Sequence, residues 1–271
     1  MSKVTRGLRF FFFHLFRNPA YLAVYAVTYF MSGFQQKVQF YSREELQQLI
    51  ESGKSFIRMG DGEIYMINFG SIHYQKYHPA IRNAFLKIIK NYSKDAPYVL
   101  GLPRQLNKQN TWLRARGLLH CWLPAKVMYL IRFPKKVHYM DAHFFYYKSS
   151  FEEFLAPHLK DKHVIVVTRK ATIDTLQKNP MFSFARSSFV ESPALNSFDV
   201  YGDLKKQTDA LLVDTRRKPV ILVAIGPASK PFVYEYSLRG IQTIDMGIGI
   251  ERAFTDNDLT DPYPEFRDLE R

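Results

Sequence analysis

Segments with the pattern of buried strands alternate with segments of helical pattern from residue 55 to residue 247. KHVIVVT and KPVILVAIG are rich in β-branched residues and favour buried strands. KATIDTLQKN and PASKPFVYEYSLRG follow two of these strands and favour helices. Because alternating strands and helices build parallel sheets with crossover helices, the sequence predicts an α/β fold. The expected architecture is a Rossmann-like, mostly parallel sheet with helices on both faces.

Composition excludes several other classes of protein. The chain has 271 residues, of which 46% are hydrophobic and 15% aromatic, so it is not an intrinsically disordered chain. Cys121 is the single cysteine, which excludes an intrachain disulfide and argues against a cysteine-based zinc site. A chain without disulfides is typical of a reducing compartment, and we expect a cytoplasmic location.

The N-terminal segment differs from the rest of the chain. Residues 1–43 contain six basic residues and no acidic residue, around the apolar run LRFFFFHLFRNPAYLAVYAVTYFMSGF. Arg17 interrupts the run and no cleavage site follows, which argues against a cleaved signal peptide. Basic and aromatic residues together favour attachment to the membrane surface, at the inner face of the cell membrane. A helix packed on the body and a marginal membrane span remain open. We divide the chain into a membrane-associating segment, 1–42, and one domain, 43–271.

The first candidate site is the sequence RMGDGE, which follows a predicted strand. In an extended segment the side chains of Asp61 and Glu63 would point to the same side, where they could bind one Mg²⁺ or Mn²⁺ ion. Gly60 and Gly62 would let a ligand approach the backbone, and Arg58 could bind a phosphate. An ordinary polar turn is the alternative interpretation.

The second candidate site is the loop after KPVILVA. Gly226 permits close approach of an anion, Pro227 suits the first position of a helix, and Ser229 and Lys230 offer polar contacts. The loop matches neither a Walker A motif nor GxGxxG. An ordinary connection from a strand to a helix remains open.

Other polar residues lie at further predicted strand ends, namely Thr168 and Arg169 after KHVIVV, Asp245 and Glu251 after the last strand, and Asp141 and His143 in MDAHFF. Thr168 and Arg169 offer a hydroxyl and a cation to a cofactor. Asp245 or Glu251 could act as a general base. Surface or capping roles remain open for all of them.

Three blocks together resemble the GT-D-type glycosyltransferase family. They are SFIRMGDGEIYMI, FVESPALNSFDVYGDL and VILVAIGPASKPFVYEYSLRGIQTIDMG, in the order of that family and spanning about residues 43–254. The resemblance implies a Rossmann-like enzyme that transfers a sugar from a nucleotide-diphosphate donor, usually UDP-linked, with a divalent metal. Its Asp-x-Glu motif corresponds to Asp61 and Glu63. The chain departs from the family after DMG, where a His is replaced by Ile248.

The resulting hypothesis is a metal-dependent glycosyltransferase that uses a UDP-sugar. The expected acceptor is a glycan that takes part in the assembly of cell-surface polysaccharide or glycoprotein glycans. A lipid-linked glycan is one form that this acceptor can take. A non-enzymatic module that binds a membrane surface or a polyanion is the alternative, because the formal charge is +13. Phosphoryl or pyruvyl transfer on the same fold is a third possibility. We expect no nucleic-acid partner, because no recognised binding motif is present and the basic residues are spread along the sequence. The oligomeric state is open.

Overall fold

The computed structural model describes residues 19–30, 37–178, 186–212 and 218–252. Within these ranges one sheet contains eight strands in the order β1-β4-β3-β2-β8-β7-β5-β6, and every recorded pairing is parallel. The strands are β1 (Gln39–Phe40), β2 (Ser55–Arg58), β3 (Tyr98–Leu102), β4 (His138–Asp141), β5 (His163–Arg169), β6 (Arg186–Ser192), β7 (Pro219–Ala224) and β8 (Gln242–Asp245).

Helices connect the strands, as the alternation predicts. They are α1 (Pro19–Phe30), α2 (Arg43–Glu51), α3 (Asp61–Ile67), α4 (Pro79–Lys90), α5 (Asn110–Ala115), α6 (Leu119–Arg132), α7 (Lys148–Ser150), α8 (Ala156–Leu159), α9 (Lys170–Gln177), α10 (Tyr201–Leu212), α11 (Ser229–Leu238) and α12 (Gly249–Arg252). A π-helical turn, Phe151–Leu155, joins α7 to α8.

Alternate strand residues enter two separate hydrophobic cores, one on each face of the sheet. Ile57 belongs to the core that contains α4, α6 and α11, whereas its neighbour Phe56 belongs to the core that contains α2. Val166 and Val167 divide between the two cores in the same way. Because successive strand side chains point to opposite faces, both faces are covered. The predicted fold class is confirmed.

The N-terminal part of the described chain is packed against the body. β1 pairs with β4, so the sheet already begins at residue 39, shortly before the predicted boundary at 43. Helix α1 packs on α6, and the amide of Asn110 donates a hydrogen bond of 2.7 Å to the carbonyl oxygen of Thr28. None of the described helices is both long enough and apolar enough to span a bilayer. Residues 1–18 and 31–36, which belong to the predicted membrane segment, and the acidic tail from 253 lie outside the described residues.

The parallel arrangement brings the loops that hold the candidate residues to one edge of the sheet. β2, β8 and β7 are adjacent at its centre, and β4 lies two positions from β2. Ligands of open α/β sheets bind at the carboxyl ends of such strands. The chemistry of this edge therefore determines what the protein can bind.

Candidate functional site

Four charged side chains meet at the carboxyl ends of β2 and β8, and we call them the buried charge cluster. They are Arg58, Glu63, Lys230 and Asp245. Nζ of Lys230 lies 2.9 Å from Oε1 of Glu63 and 3.1 Å from Oδ2 of Asp245. Nη2 of Arg58 lies 3.7 Å from Oδ1 of Asp245. Asp245 has no exposed surface, and the other three are between 4% and 6% exposed. Two cations and two carboxylates thus balance each other away from water.

The protonation of the two cations follows from this pairing. Burial alone would lower the pKa of Lys230, but the charges of Asp245 and Glu63 outweigh burial and raise it above its ordinary value. Burial also opposes the charge on Arg58, whose pKa is nevertheless raised by Tyr146 and Asp245. Both side chains are therefore cations at neutral pH.

The position of Glu63 results from the start of helix α3. The backbone N–H of Gly60 donates a hydrogen bond of 2.7 Å to Oε2 of Glu63, which is the half of a capping box that a glycine N-cap can form. The expectation that Asp61 and Glu63 share one side of an extended segment is wrong, because the helix already begins at Asp61. Side chains two residues apart in a helix are about 160° apart around its axis, so Glu63 turns inward while Asp61 remains exposed.

Arg58 is held by contacts on several sides. Its Nη1 donates a hydrogen bond of 3.1 Å to the carbonyl oxygen of Ala142, and its guanidinium carbon lies 4.8 Å from the centre of the Tyr146 ring. Gly247, at φ +49°, lies so close that a Cβ atom there would overlap the guanidinium group. These contacts hold the guanidinium group of Arg58 in one orientation.

Asp61 is the exposed carboxylate beside the buried charge cluster. Surrounding protein atoms and the negative charge of Glu63 raise the pKa of Asp61, while the nearby His143 acts in the opposite direction. Solvent nevertheless reaches this side chain, and within the described part of the chain no ion pair involves it. Asp61 is therefore a solvent-accessible carboxylate that accepts hydrogen bonds from backbone N–H groups in the first turn of α3.

A second acid lies near Asp61, at the end of β4. Asp141 accepts a hydrogen bond of 2.8 Å from Nε of Arg104 and one of 3.0 Å from the backbone N–H of His143. Nδ1 of His143 lies 3.3 Å from Oδ1 of the same carboxylate. Burial acts to raise the pKa of Asp141, but His143 and Arg104 outweigh it and lower the value. The carboxylate therefore lies beside the His143 ring and binds the backbone of the same residue.

The loop after β7 folds as the sequence predicts, with a helical turn, Gly226–Ala228, leading into α11. Gly226 has φ +61°, which favours glycine, and Pro227 is buried at the start of the turn. The Ser229 hydroxyl accepts a hydrogen bond of 3.0 Å from the N–H of Ile225 and is fully buried, so it stabilises the loop. A direct contact between Ser229 and a ligand stays a prediction.

Tyr74 covers the space between this loop and α3. A Cβ atom at Gly226 would lie 3.1 Å from the Tyr74 ring, and one at Gly62 would lie 3.8 Å from its hydroxyl oxygen. Burial and the charge of Glu63 raise the pKa of Tyr74 to about 12. Gly226 thus leaves room for the neutral phenol of Tyr74 to lie close to the charged site.

The remaining candidates form a separate group at the ends of β5 and β8. The Glu251 carboxylate lies 2.7 Å from Nη2 of Arg169 and accepts a hydrogen bond of 2.7 Å from the Thr172 hydroxyl. Thr168 is buried, and its hydroxyl donates a bond of 3.4 Å to the carbonyl oxygen of Ala224. Neither Glu251, which is paired, nor Asp245, which is buried, is an exposed free carboxylate. Their assignment as general bases stays a prediction.

Several residues of the site are absent from the sequence-based candidates. Tyr74 and Tyr146 have no local pattern that marks them, and Gly247 stands in the sequence only as the last residue of the third family block. The sequence analysis predicts for Lys230 only a polar contact from the loop after β7. A lysine in the otherwise apolar and aromatic run PASKPFVYEY is nevertheless a sign of a buried ion pair.

The carboxylate oxygens of the site are of the type that divalent cations such as Mg²⁺ bind in proteins. Within the residues that the structure describes, no group of three or more His, Cys, Asp and Glu side chains is arranged to hold a metal ion. The oxygens of Glu63 already bind Gly60 and Lys230, which leaves Asp61 as the accessible carboxylate. One carboxylate is sufficient for Mg²⁺-like ions, which take most other ligands from phosphates and water. The described carboxylates therefore fit a cation that takes its other ligands from a bound phosphate and water, and not a metal site built from protein side chains alone.

The fold and this strand-edge site define an α/β protein of the Rossmann-like class whose charged residues gather at the carboxyl ends of the central strands. Residues 56–254 match the family model described as glycosyltransferase GT-D fold, and the chain belongs to that family. The resemblance seen in the three sequence blocks is thereby confirmed.

Comparisons with individual proteins agree with the family. The chain is 26% identical over 218 residues to a probable glycosyl transferase Gly of Streptococcus gordonii, an alignment that covers 75% of this chain and 31% of the relative. The chain therefore spans about a third of that relative's length.

Solved structures support the fold. A new glycosyltransferase (DUF1792) from Streptococcus sanguinis is similar with a TM-score of 0.66 at 21% identity, covering 80% of this chain and 83% of that one. A structure of domain of unknown function 1792 described as a distinct glycosyltransferase fold gives a TM-score of 0.67 at 21% identity, covering 91% and 86% of the two chains.

Proposed function

We propose that the protein transfers a sugar from a nucleotide-diphosphate donor, a UDP-sugar, to a glycan acceptor in the assembly of cell-surface polysaccharide or glycoprotein glycans. The observation that carries the proposal is the exposed Asp61 beside the buried charge cluster, at the strand edge of a chain that belongs to the GT-D family.

The charges of the site support a requirement for a divalent metal. Arg58 and Lys230 are balanced by Glu63 and Asp245, so the buried charge cluster offers no net positive charge to a diphosphate. Asp61 adds a negative charge at the position open to solvent. A diphosphate beside Asp61 would be repelled unless a cation lies between them. Bound Mn²⁺ or Mg²⁺ would stabilise the negative charge that develops on the leaving nucleotide.

The residues of the chain contribute orientation and fixed charge. Asp61 would bind the cation, and Glu63 would hold the start of α3 so that Asp61 faces solvent. The diphosphate would approach the backbone near the start of α11, where the Tyr74 ring lies against Gly226. Arg58 and Lys230, paired with Asp245 and Glu63, would fix α3 and therefore the position of Asp61 before the donor binds.

Replacing Asp61 with asparagine tests the proposal. We expect the release of UDP from one member of a panel of UDP-sugars to require Mn²⁺ in the wild type and to fall about 100-fold or more in Asp61→Asn. Because Asp61 is exposed, the variant should unfold at the same denaturant concentration as the wild type. UDP release and a urea titration are measured on the same preparations.

The matched control is Asp203→Asn, which removes an exposed carboxylate on α10, away from the site. It should leave UDP release unchanged. Absence of both UDP release and Mn²⁺-dependent UDP binding in the wild type would overturn the proposal. UDP release that is equally fast in Asp61→Asn would overturn the role of Asp61 alone.

The proposed location is the inner face of the cell membrane, where a lipid-linked acceptor would lie. The basic and aromatic residues 1–42 support this proposal. The non-enzymatic alternative, a basic module for a membrane surface or polyanion, rests on the charge of +13 and predicts binding without turnover.

A further inference from the structure

The positive charge of the chain has a second source besides its N-terminal segment. Residues 96–140 contain eight basic residues and, like residues 1–43, no acidic residue. The two stretches hold 14 of the 38 basic residues and none of the 25 acidic ones, so the rest of the chain has 24 basic and 25 acidic residues. The net charge of the protein thus resides in these two stretches.

The fold brings the two acid-free stretches together. Helix α1, from the first, packs on α6, from the second. Asn110, at the start of α5, binds the carbonyl oxygens of Thr28 and Tyr29 at the end of α1, and Nζ of Lys126 holds the Asn110 side chain at 3.0 Å. Asn110 and Lys126 are both buried. The described parts of the two acid-free stretches therefore lie side by side.

The end of α1 exposes apolar side chains beside basic ones. Phe30 is 81% exposed and Val27 is 48% exposed, which is unusual for residues of this size. The Arg114 guanidinium lies 5.4 Å from the centre of the Tyr29 ring, and Arg116 lies 4.0 Å from that of Trp112. Arg114 and Arg116 are exposed, and no ion pair among the described residues involves either of them. We call the exposed parts of α1 and α5, with Arg116, the basic aromatic face.

We propose that the basic aromatic face lies on an anionic lipid bilayer and so fixes the orientation of the whole catalytic body at the membrane. Unpaired arginines attract anionic headgroups, and exposed Phe and Tyr side chains insert beneath them. A water-soluble acidic protein would satisfy the arginines but not the apolar end of α1. The inference deepens the membrane location proposed above and is independent of sugar transfer, which is not needed for the binding measured below.

Vesicle binding by the full chain tests this orientation. We expect the wild type to sediment with vesicles of phosphatidylcholine containing about one third phosphatidylglycerol, and not with phosphatidylcholine alone. The double variant Arg114→Gln/Arg116→Gln should reduce partitioning about 30-fold, because each basic residue at an anionic surface contributes about fivefold. The control is Lys170→Gln/Lys206→Gln, which removes two exposed lysines outside both acid-free stretches and should change partitioning little.

Tryptophan fluorescence measures whether the body itself contacts the bilayer. The chain has two tryptophans, the half-buried Trp112 on α5 and the buried Trp122 on α6. Lipids with brominated acyl chains should quench wild-type fluorescence, and Trp112→Phe should remove the quenching. Equal partitioning of both double variants, or no quenching of Trp112, would overturn the proposal, since the residues before α1 would then act alone. Tighter binding to a single-stranded polynucleotide that competes with the vesicles would also overturn it. Sugar transfer can fail without affecting either measurement.

Discussion

Replacing Lys230 with methionine is expected to lower the free energy of unfolding by about 3–5 kcal/mol, a large part of the stability of an ordinary domain. Lys230 is the cation between Glu63 and Asp245, and all three are almost completely buried. Without it, two carboxylates would remain in a site from which water is excluded. The measurement is a urea titration followed by circular dichroism at neutral pH. UDP release should be lost at the same time.

A surface ion pair provides the matched control for this variant. Lys205 on α10 pairs with Glu235 on α11, but their side chains are 32% and 39% exposed. Lys205→Met should therefore change the unfolding free energy by at most about 1 kcal/mol. Adding Glu63→Gln to Lys230→Met should restore part of the loss, because one unbalanced charge disappears. Equal effects of Lys205→Met and Lys230→Met would show that water reaches the buried charge cluster.

The sequence predicts the fold and the edge of the sheet on which the site lies, because both depend on local patterns. Runs of β-branched residues mark the strands, and polar residues directly after them mark the strand ends, as at Arg58 and Asp245. The partner of each charge depends instead on strand order. Lys230 follows β7, and it meets Asp245 and Glu63 because β8 lies between β7 and β2. No pattern along the chain specifies that order.

The predicted geometry of the Asp-x-Glu motif was wrong, although the sequence contains a sign of the correct geometry. Glu63 stands three residues after Gly60, the spacing at which a glutamate side chain accepts a hydrogen bond from the backbone N–H that precedes the helix. That spacing indicates a helix that starts at Asp61 and separates the two carboxylates. Tyr74 has no comparable signal, since it comes from a connection whose path is determined by tertiary packing.

Replacing Gly247 with alanine is expected to reduce kcat/KM for UDP-sugar turnover about 100-fold and to lower the unfolding free energy by about 3 kcal/mol. The new Cβ atom would overlap the Arg58 guanidinium, which would have to leave Asp245 and the carbonyl oxygen of Ala142. Gly247 also has φ +49°, where alanine is strained by about 1 kcal/mol. UDP release and a urea titration measure the two effects.

Gly240→Ala separates backbone strain from displacement of Arg58. Gly240 has φ +73°, and a Cβ atom there would meet no other atom within 4 Å, so only the strain of about 1 kcal/mol should appear, with normal turnover. A double-mutant cycle then identifies the mechanism. In an Arg58→Met background, Gly247→Ala should lower stability no more than Gly240→Ala does in the wild type, because the guanidinium group is absent. A loss in that background as large as in the wild type would show that Gly247 acts through the backbone and not by positioning Arg58.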